Sequence, residues 1–237
     1  QRTSRLVGLA VTLPPRTRRA DHHPDDGYGE ALASEGNWLA IGAPNARKIG
    51  VPAGTSTKGP SGRRAQKQPP AASKGPPNVG AVGLLLRAKD GWRREATLTA
   101  SDAKADDHFG ATLSMGGGVL VVGATGVDAD QRAMPGAAYV FELQPSGHWT
   151  QTAKLRGDSV GGAFATALSA TKRRIAVAAS AQMPWGPVYL FERHLAAGRR
   201  WLQVARLVLE KDRNGSGFGA SLSLSGDRLL VGVPHLL

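Results

Sequence analysis

The chain has 237 residues, with 30 Lys and Arg against 18 Asp and Glu, a formal net charge of +12 and an isoelectric point near 10.7. Hydrophobic residues make up 41% of it, enough for a core and too many for a wholly disordered chain, which cannot offset its ordering entropy. The absence of cysteine excludes disulfides, thiolate zinc sites, iron–sulfur clusters and a cysteine nucleophile together. The 31 glycines and 15 prolines argue against long helices and for many short strands joined by turns, so the composition leans all-β.

At the N-terminus, Arg2, Arg5, Arg16, Arg18 and Arg19 stand in the first twenty residues without an acid, as in transit peptides, which address a chain to an organelle. Leu6 to Leu13 also reads as a strand, and residue 1 is Gln rather than Met, so a removed leader is a second expectation. The longest apolar runs, such as Val7 to Val11 and Val119 to Ala124, fall far short of the roughly 18 residues that a membrane-crossing helix needs.

Further along, one short motif recurs four times: Gly27-Tyr28-Gly29-Glu30-Ala31-Leu32, His108-Phe109-Gly110-Ala111-Thr112-Leu113, Ala163-Phe164-Ala165-Thr166-Ala167-Leu168 and Gly217-Phe218-Gly219-Ala220-Ser221-Leu222. After a short polar turn, each is followed by an apolar run: Trp38 to Pro44, Val119 to Ala124, Ile175 to Ala179 and Leu229 to Pro234. A third run follows three of them, at Ala81 to Leu86, Ala137 to Phe141 and Pro187 to Phe191. A fourth opens on Trp and ends in Ala-x-Leu, at Trp92 to Leu98, Trp149 to Leu155 and Trp201 to Leu207.

The repeated aromatics are 81, 55 and 54 residues apart, and a period near 50 with four short β-runs per unit is the signature of a β-propeller of four-stranded antiparallel blades. A single blade leaves both apolar faces wet and must stack on others. The pattern predicts one propeller domain over 1–237: an outer strand of a partial blade at 5–13, blades at 28–98, 109–155 and 164–207, and the inner strands of a partial blade at 218–234. Both ends fall inside a blade, so either the N-terminal strand completes the last blade of a closed four-bladed ring or the chain is part of a larger ring. Gly42, Gly123 and Gly232 are expected to let inner strands crowd the central channel. The repeat-equivalent Trp92, Trp149, Trp201, Tyr139, Phe141, Tyr189 and Phe191 should fill the space between blades. Trp38 and Trp185 have no equivalents and are candidate exposed contacts.

Phe109-Gly110 with Val122-Gly123-Ala124, and Tyr28-Gly29 with Gly42-Ala43-Pro44, resemble FG-GAP repeats, the family that builds the propeller of integrin α subunits. The resemblance implies a protein-interaction fold, and an adhesion module, secreted or at the cell surface, as one functional class. Integrin-type repeats often carry calcium between the first two strands, but the turns here, Ser34 to Asn37, Gly116 to Gly118, Ala170 to Arg173 and Ser225 to Arg228, are short, with at most one carboxylate each. They read as hairpin turns, and the calcium sites are not carried over.

The spacing is broken by an insertion at 45–79, rich in Pro, Gly, Ser, Ala and Lys and without periodicity. It holds Arg47, Lys48, Lys58, Arg63, Arg64, Lys67 and Lys74 and no acid, leaving the other 202 residues only mildly basic, with 23 basic and 18 acidic groups. Such a segment cannot form a core; it is either a solvated insertion or a binding element for an anionic partner, RNA or an acidic lipid surface.

Asp21, Asp25 and Asp26 with His22 and His23, and Asp102, Asp106 and Asp107 with His108, precede two of the repeated aromatics. Aspartates there are expected to accept backbone N–H groups in tight turns rather than to hold a metal. Arg156-Gly157-Asp158 spells a tripeptide that many integrins bind, and Asn214-Gly215-Ser216 matches a glycosylation sequon; both are too short to carry weight alone. No Ser-His-Asp arrangement, HExxH or phosphate-cradling glycine loop is evident, so neither catalysis nor a cofactor is expected. The expected function is a non-catalytic scaffold, a structural subunit docking other proteins within a larger assembly.

Overall fold

The computed structural model describes residues 26–47, 78–126, 136–158, 163–180, 186–194, 200–209 and 216–235. Among them are fourteen strands and no helix. Successive strands pair antiparallel with their chain neighbours, giving three four-stranded sheets and one two-stranded sheet. The first sheet is β1 (Leu32–Glu35), β2 (Trp38–Ala43), β3 (Ala81–Ala88) and β4 (Gly91–Leu98). The second is β5 (Phe109–Gly116), β6 (Val119–Ala124), β7 (Ala137–Leu143) and β8 (Trp149–Leu155). The third is β9 (Ala163–Ala170), β10 (Arg174–Ser180), β11 (Val188–His194) and β12 (Arg200–Leu207). The last is β13 (Leu222–Ser225) with β14 (Arg228–Val231). Antiparallel meanders of this kind are how propeller blades are built.

Register follows the repeats. The leucine four residues after each aromatic pairs across the first hairpin as Leu32 with Ile41, Leu113 with Val122, Leu168 with Val177 and Leu222 with Val231. Three of the four first hairpins turn on glycine with positive φ, Gly36 at 56°, Gly117 and Gly118 at 64° and 74°, and Gly226 at 55°, the backbone that tight two-residue hairpins require, while β9 and β10 are joined through Thr171, Lys172 and Arg173. Each complete sheet carries a bulge between its third and fourth strands, after Leu84, Val140 and Leu190, where one extra residue on the outer strand bends the sheet edge.

The core lies between sheets. One cluster joins the first and second sheets through Val82, Leu84, Phe109, Leu120, Val122 and Tyr139, all 0% exposed. A second joins the second and third sheets through Val121, Val140, Phe164, Ile175, Val177 and Tyr189. Phe109 meets Tyr139 and Phe141 edge-on, with centroids 5.5 and 6.0 Å apart, and Phe164 meets Tyr189 at 5.5 Å. Trp38 departs from the sequence expectation of an exposed contact, because it is half-buried and packs edge-on against Trp149 of the second sheet at 5.6 Å. Trp185 lies outside the described residues, as does the strand expected at 5–13.

Gly42 and Gly123 crowd a neighbouring sheet. A methyl group on Gly42 would strike the Gly110 carbonyl, and one on Gly123 would strike Thr112 and Ala165, so these glycines admit the Phe109 and Phe164 segments of the following sheet. Gly232 instead faces Ser221 within its own hairpin. The close approach that the small residues permit is thus between sheets and within a hairpin.

Candidate interaction surfaces

Strand direction alternates through each meander, so the loops divide between two ends of the stack. One end carries the first and third hairpins of each sheet; the other carries the second-to-third-strand loops and the connections from one sheet to the next. The basic insertion joins β2 to β3 and therefore emerges at the same end as the aspartate-rich connections.

Its two roots are held together. Arg47 and Asn78 form an antiparallel bridge, and the Ala46 carbonyl accepts the N–H groups of Val79 and Gly80 at 3.0 Å. The Asn78 carbonyl accepts Asp106 N–H at 2.6 Å, and the Val79 carbonyl accepts Phe109 N–H at 3.3 Å, tying the root to the connection that enters the second sheet. Arg47 is exposed beside that connection. Lys48, Lys58, Arg63, Arg64, Lys67 and Lys74 lie outside the described residues, so of the seven basic groups only Arg47 has a described place.

The aspartates in the connections serve the fold. Asp107, 1% exposed, accepts Lys104 N–H at 2.6 Å in the turn before Phe109, where Asp106 and His108 hold positive φ of 62° and 53°. Asp26 and Ser216 occupy the equivalent place two residues before their own aromatics and are likewise buried. Asp21, Asp25, His22 and His23 lie outside the described residues. No group of three or more potential metal-binding side chains is found among the described residues.

Two sheet junctions share a cluster that sequence reading missed. Tyr139 donates to Asp102 at 2.9 Å while Lys154 binds the other carboxylate oxygen at 2.6 Å and sits 5.0 Å over the Tyr139 ring. In the next unit Tyr189 donates to Asp158 at 2.7 Å, and Arg206 reaches the same carboxylate at 3.4 Å. In each, the aspartate comes from the incoming connection, the tyrosine from the third strand and the base from the fourth. Gly83 replaces the tyrosine in the first sheet, and the Tyr28 hydroxyl lies over it. The signal was present in the sequence, since Tyr139 and Tyr189 are each followed some fifteen residues on by Lys154 and Arg206, one residue before the closing leucine. Asp158 of the Arg-Gly-Asp tripeptide is therefore a tyrosine and arginine partner, and a methyl on Gly157 would stand 2.8 Å from the Tyr189 ring.

Burial pushes the Tyr139 hydroxyl far above its ordinary value, and the neighbouring Asp102 carboxylate adds to this. For Asp102 itself burial acts upward, but the hydrogen bonds from Lys154 and Tyr139 and the Lys154 charge outweigh it and hold the carboxyl below the ordinary aspartate value. These groups are set to stay tyrosine and aspartate in fixed partnership, not to exchange protons near neutral pH.

At the opposite end, a shallow cavity of about 360 Å³ opens between the third and fourth sheets, lined by Thr171, Lys172, Arg173, Arg174, Glu192 and Asp227. Arg174 bridges its walls, reaching Asp227 at 2.8 Å and Glu192 at 3.4 Å. The cavity gathers three bases and two acids, with Arg174 paired to both acids.

The structure thus defines an all-β protein of repeated four-stranded antiparallel sheets of the β-propeller type. Residues 92–141, from the first residues of β4 into β7, match the FG-GAP repeat family. The matched span contains Phe109-Gly110 and Val122-Gly123-Ala124, the residues that carry the tight approach between the first two sheets. No curated protein matches the chain. No helix among the described residues is long and apolar enough to cross a membrane.

Proposed function

We propose that this protein is a non-catalytic protein-interaction module, a structural subunit of a larger assembly, whose basic insertion at 45–79 binds RNA or another anionic surface. The observation that carries the reading is the pinned root of the insertion. A loop whose sequence holds seven bases and no acid is rooted in two strands bridged at Arg47 and Asn78, at one defined end of the stack. Backbone hydrogen bonds from the root to the Asp106 and Phe109 segment fix that end relative to the core. The polar clusters at the sheet junctions are engaged in packing, which favours binding over chemistry as the use of this surface.

Binding through such a loop rests on ion pairing with released counterions, so it weakens steeply with salt. Removal of residues 48–77 leaves the bridged roots in place and tests the reading directly. Full chain and deletion are titrated with single-stranded RNA and with vesicles containing anionic lipid across a salt series. The full chain is expected to bind at least one of the two with a steep salt dependence that the deletion loses; equal binding by the two proteins contradicts the role of the insertion. The adhesion alternative draws no support from Asp158, whose carboxylate is occupied by Tyr189 and Arg206.

A further inference from the structure

The sheets dock on one another through a bond that repeats along the chain. Ser114, five residues after Phe109, accepts the Ala170 N–H of the third sheet at 2.9 Å. Ser169, five residues after Phe164, accepts the Leu224 N–H of the fourth sheet at 2.8 Å. In both, the hydroxyl of one sheet's first strand meets the N–H that stands six residues after the next sheet's aromatic. Beside each serine, the paired residue on the second strand is fully buried: Val121 and Ala176 are both 0% exposed.

Ser223 holds this same position in β13, and its second-strand partner is Leu230. Ser223 is exposed, and Leu230 is 71% exposed where its equivalents are sealed. Among the described residues, nothing lies on this outgoing face of the fourth sheet. The complementary incoming face is on the first sheet. Leu32 stands where Leu113 and Leu168 pack against the core, yet it is 62% exposed, and Ser34 holds the position of Ala170 and Leu224. Among the described residues both faces are uncovered in the same molecule and β13 pairs with β14, so the described strands do not close on themselves.

We propose that a second copy of this chain covers the β13–β14 face with its own β1–β2 face, in a head-to-tail contact that repeats the internal sheet junction. Leu230 enters the apolar space beside the partner's Leu32, and the Ser223 hydroxyl accepts the Ser34 N–H of the other copy. One chain carries both halves of the contact, and each half is the same chemistry that already joins its second, third and fourth sheets. The leucines are exposed at positions whose equivalents are sealed by a neighbouring sheet, and a contact between unlike faces is heterologous, closing into a ring only if the rotation allows. The contact uses neither the insertion nor its bases and stands whether or not the insertion binds RNA.

The cysteine-free chain makes the test clean. Full-length Ser34→Cys and Ser223→Cys variants are mixed in equal amounts and treated with a short thiol-to-thiol cross-linker, beside a control mixture of Ser223→Cys with Asp90→Cys on the exposed outer hairpin. The expected result is a covalent dimer of twice 24.7 kDa from the Ser34 and Ser223 mixture and not from the control. Light scattering of the unmodified chain should give a mass above 24.7 kDa that falls to the monomer value in Leu230→Asp. A double Ser34→Cys, Ser223→Cys variant that cross-links only within one chain would show self-closure and overturn the proposal. So would a monomeric mass at every concentration, or equal cross-linking of test and control mixtures.

Discussion

Ala165 holds φ at +66° in the place where the other units have Gly29, Gly110 and Gly219 at 97°, 98° and 86°. A side chain in this left-handed region costs about 1–2 kcal/mol, while deleting a buried methyl costs about 1 kcal/mol, so the two effects of Ala165→Gly oppose each other. The variant should match or slightly exceed the parent in thermal unfolding. Gly110→Ala has no such compensation, because its new methyl would stand 2.7 Å from the Ala81 carbonyl oxygen and 3.2 Å from Val82. A loss of about 2 kcal/mol or more is expected in denaturant titration. The motif was legible in the sequence because glycine is the residue that this backbone favours; the departure at Ala165 was visible as a substitution, but its strain was not, since only φ reveals it.

Glu142, Arg193 and Trp201 make a second residue-scale test. Glu142 on the second sheet pairs with Arg193 and accepts the Trp201 indole N–H at 3.2 Å, both partners coming from the third sheet. Both charged side chains are at least four-fifths buried, so removing one leaves the other without its partner in a dry place. Glu142→Ala should cost about 3 kcal/mol, measurable by urea unfolding, and the double variant Glu142→Ala, Arg193→Ala should cost less than the sum of the two single variants. Titration supplies a third. Because the Tyr139 hydroxyl is raised in the fold, its contribution is complete below the ordinary tyrosine value of 10.0 and is lost only as pH climbs towards the folded value. In an alkaline absorbance titration, Tyr139 should resist ionisation past pH 10.0 until the protein unfolds, whereas Asp102→Asn should ease it. Asp102 acts in the opposite sense: its lowered value supplies stability above the ordinary 3.8 that disappears as pH falls through the folded value.

At the scale of elements, consecutive sheets are coupled by a few bonds from one first strand to the next. The Glu35 carboxylate accepts Gly117 N–H at 2.5 Å and Gly118 N–H at 3.0 Å, so the first sheet grips the hairpin tip of the second. Ser114 and Ser169 do the same work at the next two junctions. Each of Glu35→Ala, Ser114→Ala and Ser169→Ala should lower stability by about 1 kcal/mol, and their effects should add because the sites are in separate junctions. Strand positions were legible from the apolar runs: β8 has the bounds expected from Trp149 to Leu155, and β6 those from Val119 to Ala124. The first strand of the first sheet was less so. It begins only at Leu32, with Tyr28 in the turn before it, whereas Phe109 lies within β5 and Phe164 within β9. A hydroxyl-bearing ring over Gly83 replaces the buried phenylalanine there, a difference of packing that the repeat pattern does not encode. The Tyr–Asp–base clusters were missed for a similar reason: their members come from three separate segments, and only the fold brings them together.

Across the whole molecule, the formal charge of +12 divides unevenly, with seven of the 30 basic groups and none of the acids in the insertion. Among the described sheets, ion pairs such as Arg174 with Asp227 and Lys154 with Asp102 match bases to acids, whereas the sequence of the insertion offers no acid, and its roots are bridged at Arg47 and Asn78. Composition placed the charge and the repeats placed the insertion between two strands; the bridged root and its tie to Asp106 needed coordinates, because nothing in the Pro- and Gly-rich sequence marks them. These sheets are proposed to serve as a docking module within a larger assembly. The most direct test of this role is the native size of the tagged full chain in extracts of the cells that make it, read on a density gradient. Sedimentation well above 24.7 kDa together with specific partner proteins is the expected result, and a free 24.7 kDa monomer with no co-migrating protein would contradict the docking role.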